Sequence, residues 1–96
     1  MEKIWAVRGA ITIKSDKAEA VMEAAQGLLV RLMERNTIQA KAIVSIIFTV
    51  TPDIKSEFPA VAARKLGLTD IPLLCAQEIP KTGALPLCIR VMLHFY

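Results

Sequence analysis

Histidine, cysteine, glycine and aromatic residues are all scarce in this 96-residue chain. It has one histidine (His94), two cysteines (Cys75 and Cys88), four glycines, and three Phe, one Trp and one Tyr. Two cysteines are too few for a disulfide scaffold, and their spacing is not that of metal ligands. In a reducing compartment they are expected to be free thiols. A zinc or iron site needs more ligands than one histidine and these two thiols offer. There is no Gly-rich phosphate loop, no G-x-S-x-G, no H-E-x-x-H and no P-loop. No apolar run approaches the ~20 residues of a membrane-spanning helix; the longest, Ala42–Val50, contains Ser45 and Thr49. The first thirteen residues carry Glu2, Lys3 and Arg8 and do not read as a signal peptide. The expected location is the cytoplasm. Lys and Arg are spread over the chain with no run of three, so the basic stripe of a nucleic-acid binder is missing. The net charge of +3 suits a small anionic ligand equally well.

Apolar residues are abundant. They make up 54% of the chain, above the ~45–50% usual for soluble domains. Ninety-six residues allow one domain and bury only part of their own surface. The excess suggests that another subunit covers some of it.

The pattern alternates strands and helices. Ile4–Ile13 reads as a strand, with Trp5, Val7, Gly9, Ile11 and Ile13 on one face and Ile4, Ala6, Arg8, Ala10 and Thr12 on the other. Gly9 inside it signals a bulge or a close backbone approach. Asp16 and Glu19 form a plausible capping pair for a helix. That helix carries Ala18, Val21, Met22, Ala25, Leu28, Leu29, Leu32 and Met33 at three- and four-residue spacing and ends near Asn36. Ala42–Val50 is apolar on both faces and reads as a central strand covered on both sides. Thr51-Pro52-Asp53 stops it. A short helix from Pro59 to about Leu66 closes at Gly67. Pro72–Glu78 and Cys88–Tyr96 complete a β-α-β-α-β-β order, which implies an α+β fold: a mixed β-sheet with helices on one face.

Few residues are suited to chemistry. Arg8 and Arg90 sit within apolar strands. A guanidinium stays charged at any working pH, so Arg90 needs a carboxylate or a site that binds one; Arg8, beside Gly9, reads equally as a strand-edge arginine with its head in water. Glu78 is a candidate partner for Arg90; a structural ion pair and a ligand site both fit. Arg64, on an Ala-rich helix, reads more simply as solvated. Cys75 reads more simply as a small buried hydrophobe, and His94 as a packed residue.

Taken together, Val7-Arg8-Gly9-Ala10-Ile11-Thr12, Phe48-Thr49-Val50-Thr51-Pro52-Asp53-Ile54, Phe58-Pro59-Ala60-Val61-Ala62-Ala63-Arg64, Cys75-Ala76-Gln77-Glu78-Ile79 and Cys88-Ile89-Arg90-Val91-Met92 resemble, in order, the monofunctional chorismate mutases of the Bacillus type. The resemblance covers nearly the whole chain. It implies a homotrimeric pseudo-α/β-barrel with active sites in clefts between subunits. The implied reaction is the conversion of chorismate to prephenate, on the route to phenylalanine and tyrosine, without a cofactor. By position, Arg90 would meet the breaking ether oxygen and Arg8 a substrate carboxylate. Glu78 would accept from the ring hydroxyl, with Leu74 and Cys75 close by. Phe58, Ala60 and Arg64 would be lent to the cleft by the neighbouring subunit. Val61 stands where many relatives carry a lysine. The family's tail, with a tyrosine and an arginine at the site, has no counterpart before Tyr96, so residues 1–96 are expected to form a single domain without it. Two other readings remain at this stage: a same-fold trimeric imine/enamine deaminase-like protein, and a non-catalytic binder of small anions.

Overall fold

The computed structural model describes residues 3–96. The elements follow the order β1 (Trp5–Thr12), α1 (Ala18–Arg35), a 3-10 turn (Ala40–Ala42), β2 (Ile43–Val50), α2 (Ala60–Lys65), β3 (Leu73–Gln77) and β4 (Cys88–Phe95). They form one mixed four-stranded sheet in the order β1-β4-β2-β3. β4 runs antiparallel to both β1 and β2, and β3 is parallel to β2. The last strand thus slots into the middle of the sheet and joins β1 to the β2-α2-β3 unit. Among the described residues, no helix is long and apolar enough to cross a membrane.

Both helices lie on one face. The i, i+3, i+4 stripe of α1 buries Val21, Ala25, Leu28 and Leu29 against Ile46, Phe48, Ile89, Val91 and Leu93, which alternate along β2 and β4. Gly9 causes no bulge; the β1–β4 register is continuous through it. It is a close-approach site. A Cβ there would lie 2.9 Å from Leu28 Cδ1, so its absence lets α1 settle onto β1.

Two sequence expectations change. Asp16 does not cap α1: the N-cap is Lys17, with no side-chain cap bond. The Asp16 carboxylate instead accepts from the backbone N–H of Lys55 (2.9 Å) and Ser56 (3.1 Å). It ties the β1–α1 connection to the loop after β2, where two backbone donors on one carboxylate outweigh a single cap bond. The second change is β2, which is covered on one side only. Ser45, Ile47 and Thr49 face away from the helices and are only half-buried. The β-branched Ile47 and Thr49 suit a pleated surface whether or not a second layer covers it.

A polar clip at the end of β2 sets where β4 begins. Thr51, 6% exposed, donates its hydroxyl to Asp53 Oδ1 (2.6 Å) and accepts from Cys88 N–H (2.9 Å). Asp53 Oδ2 accepts from Leu87 N–H at 2.9 Å. Leu87 takes a left-handed φ of 49°, a conformation a non-glycine residue holds only when its surroundings impose it. Thr51→Val keeps the shape but orphans the buried Cys88 N–H, and should cost about 1–3 kcal/mol. Urea unfolding of both proteins measures it; an unchanged midpoint would remove the clip from the account.

The same loops make stability depend on acid. Hydrogen bonds lower the Asp53 pKa beneath 3.8, first from the Thr51 hydroxyl and then from Leu87 N–H. Asp16 is lowered likewise, chiefly by the Ser56 side chain and then by Lys55 N–H. A carboxylate with a depressed folded pKa binds its proton first in the unfolded chain. Its stabilisation is therefore present above the unfolded pKa and is lost as pH falls through the folded one. The melting temperature should drop as pH falls below about 4, and Asp16→Asn/Asp53→Asn should flatten that drop. A double variant with the wild-type pH profile contradicts it.

Candidate active site

The face of the sheet turned away from the helices carries the charged residues. Alternation along β4 sends Ile89, Val91 and Leu93 to the core and Arg90, Met92 and His94 to the open side. The register places Ala10 opposite Arg90 on β1, and Arg8 opposite Met92. Arg8 and Arg90 are therefore diagonal neighbours on one face, with backbones roughly 7–8 Å apart. On the other side Thr49 lies opposite Arg90, and Ala76 lies beside Thr49. The small side chains of Ala10, Thr49 and Ala76 leave room above the sheet. Arg8, Gly9, Ala10, Ile47, Thr49, Arg90 and Met92 are among the residues lining a depression of about 590 Å³ there.

Glu78 follows the end of β3, and its backbone N–H donates to Val50 O at 2.9 Å. That bond holds the carboxylate beside Arg90. Arg90 Nε donates to Glu78 Oε1 (3.2 Å) and Oε2 (3.1 Å), and the Thr49 hydroxyl donates to Oε2 at 2.6 Å. Arg90 engages Glu78 through Nε alone. Its two terminal NH2 groups have no partner among the described residues. The pair is partly open, with side chains 45% and 23% exposed. It is worth at most about 1 kcal/mol to folding, which leaves the arrangement poorly explained by stability. Arg8, Arg90 and Glu78 sum to a charge of +1 on an open face. Such a face can grip a small anion with planar, multidentate donors and one carboxylate acceptor.

The remaining sequence candidates divide between this face and another. Leu74 sits on the open face, opposite Ile47, and is exposed. Cys75, one residue on, points the other way: it packs against the helix-side core, and burial pushes its thiol pKa up. Its side chain is therefore not beside Glu78, although only two residues separate them. Cys75 lines a separate hollow of about 310 Å³ with exposed Phe58, Pro59 and the loop after β2, and its sulfur lies near the Ala60 backbone N–H. Arg64 Nη1 donates to the carbonyls of Leu68 (3.3 Å) and Thr69 (2.6 Å) beyond the end of α2. The sequence candidates thus fall in two places: Arg8, Glu78, Arg90 and Leu74 are on the open face, whereas Phe58 and Cys75 line the second hollow and Ala60 and Arg64 lie on α2. His94 is bound to Ser45, with Oγ 3.2 Å from Nδ1.

Sequence reasoning passed over Thr49, Ile47 and Met92. Thr49 holds Glu78; the other two floor the depression. Their signal was parity with Arg90 across the sheet, which needs the strand register. Among the described residues, no group of three His, Cys, Asp or Glu is placed to hold a metal ion.

The matching family model is that of chorismate mutase type I, over residues 4–96. The chain is 47% identical over 87 residues to chorismate mutase AroH of Thermus thermophilus, an alignment covering 90% of this chain and 71% of that protein. It is 37% identical over 91 residues to chorismate mutase AroH of Bacillus subtilis, covering 94% of this chain and 72% of the relative. A solved structure of a chorismate mutase from Clostridium thermocellum superposes with a TM-score of 0.93 at 45% identity, covering 95% of this chain and 81% of that one. With a family model matched almost end to end and relatives at this identity, the chain belongs to the type I chorismate mutases.

Proposed function

We propose that this chain, as a single domain over residues 1–96, converts chorismate to prephenate in clefts between the subunits of a homotrimer. The observation that carries this reading is the Arg8–Arg90–Glu78 constellation. Two guanidinia and one carboxylate share an open sheet face, with Arg90's terminal donors uncommitted.

The reaction is a unimolecular [3,3] rearrangement. The ether C–O bond breaks as a C–C bond forms, with no proton moved and no covalent intermediate. The protein must hold the enolpyruvyl arm over the ring, which arginine clamps on carboxylates do. Arg8 takes a carboxylate. The uncommitted NH2 groups of Arg90 donate to the ether oxygen, where negative charge grows as the bond stretches. A fixed cation there stabilises the transition state more than the ground state. Glu78 keeps Arg90 in place through Nε and accepts from the ring hydroxyl on its remaining lone pairs. One chain supplies a net +1 to a dicarboxylate substrate. A neighbour's Arg64 would raise that to +2, and Phe58 and Ala60 would wall the cleft. Exposed Leu74 and Met92, with half-buried Ile47 beside them, support a subunit contact on this side of the sheet, which would also account for the apolar excess.

The test follows loss of chorismate's ultraviolet absorbance in the purified protein, with light scattering for the assembly state. Turnover well above the uncatalysed rate in a trimer supports the reading. A folded trimer without turnover leaves the small-anion binder.

A further inference from the structure

A second basic feature lies just round the edge of the sheet from Arg8. We infer that Arg31 and Arg35 of α1 form, with Arg8, an accessory groove that captures dicarboxylates at the mouth of the proposed site; this rests on the chorismate reading. Three observations carry it. First, the groove exists: Arg8, Gly9, Ala10, Leu28, Arg31 and Arg35 line a hollow of about 310 Å³ between β1 and α1. Second, it adjoins the open-face depression across β1, whose Arg8, Gly9 and Ala10 line both. β1 is an edge strand, so no other strand separates the two. Third, its charge is uncompensated. Among the described residues, no Asp or Glu lies within ion-pair distance of any of the three arginines; the ion pair found is Arg90–Glu78.

Gly9 shapes this groove. It lets Leu28 and Leu32 sit down on β1, which brings the last turns of α1 beside Arg8. The Arg31 guanidinium lies back along the helix over Gly27, 3.8 Å from where a Cβ would be. Arg31 and Arg35 are four residues apart and so share a helix face. Two adjacent cations on one face repel unless an anion lies between them. A dianion drawn to this pair is passed to Arg8, the charged residue common to both hollows. Like-charged grooves of this kind raise local ligand concentration and association rate, and salt weakens the effect.

The experiment is steady-state kinetics of wild type and Arg31→Gln/Arg35→Gln at about 0.01 M and about 1 M salt, between which the screening length falls from roughly 30 Å to roughly 3 Å. At low salt the double variant should lose roughly fivefold in kcat/KM, with the loss in KM rather than kcat. At high salt the two proteins should converge. Equal kcat/KM at low salt overturns the inference, and so does a loss of the same size at both salts, which marks a structural effect. Wild-type turnover itself tests the chorismate reading. If wild type does not turn over, citrate titrated by calorimetry at low salt decides the groove alone. Tighter binding by wild type than by the double variant supports it; equal binding overturns it.

Discussion

Arg90→Ala should lower kcat by roughly 10²–10³-fold, about 3 kcal/mol of transition-state stabilisation, the scale seen when a single preorganised oxyanion donor is removed. The melting temperature should scarcely move, because the Arg90–Glu78 pair is partly exposed and worth at most about 1 kcal/mol to folding. Arg90→Lys should fail nearly as badly. Arg90 uses Nε to hold Glu78 and keeps two further nitrogens for a ligand. A lysine has one nitrogen on a flexible stem and cannot serve both partners in fixed geometry. Absorbance assays and thermal melts on the three proteins check this together. Near-wild-type turnover by the lysine variant would move the assigned role away from Arg90. A large drop in melting temperature for the alanine variant would make its activity loss structural.

Phe48→Ala should show the reverse pattern. Phe48 is wholly buried at the centre of β2, beside Val91 on β4 and Cys75 on β3. Removing its ring loses the transfer free energy and leaves a cavity that the neighbouring strands cannot close, at a cost of about 3–5 kcal/mol. That is a large part of the 5–15 kcal/mol typical of a whole domain. Thr49, the adjacent residue, faces the site, so the ring's loss should also loosen the Thr49–Glu78 bond. Denaturant unfolding checks the first effect. A cost under about 1 kcal/mol would mean that the sheet repacks and that Phe48 is not the keystone its burial indicates.

Much of this protein was readable along the chain. The three- and four-residue spacing of α1 determined a helix and the face it buries, because helical periodicity is a local property. Alternation in β1 and β4 put Arg8 and Arg90 on the faces opposite to Val7 and Val91 for the same reason. The left-handed stop at Gly67, φ +88°, followed from the one residue type without a side chain. A guanidinium among apolar neighbours demanded a counter-ion, and Glu78 supplies it.

Tertiary structure decided what depends on strands meeting. β4 comes last in the chain, yet it lies between β1 and β2. Only that insertion makes Arg8, Arg90 and Thr49 neighbours, and no local pattern encodes it. Cys75 and Glu78 looked like one group in sequence; an odd number of strand positions sends their side chains to opposite sides of the sheet. Asp16 looked like a cap until the fold brought Lys55 and Ser56 to it. Local periodicity determines which way each residue faces. Which residues then face one another is set by burying the apolar stripes of both helices and all four strands at once.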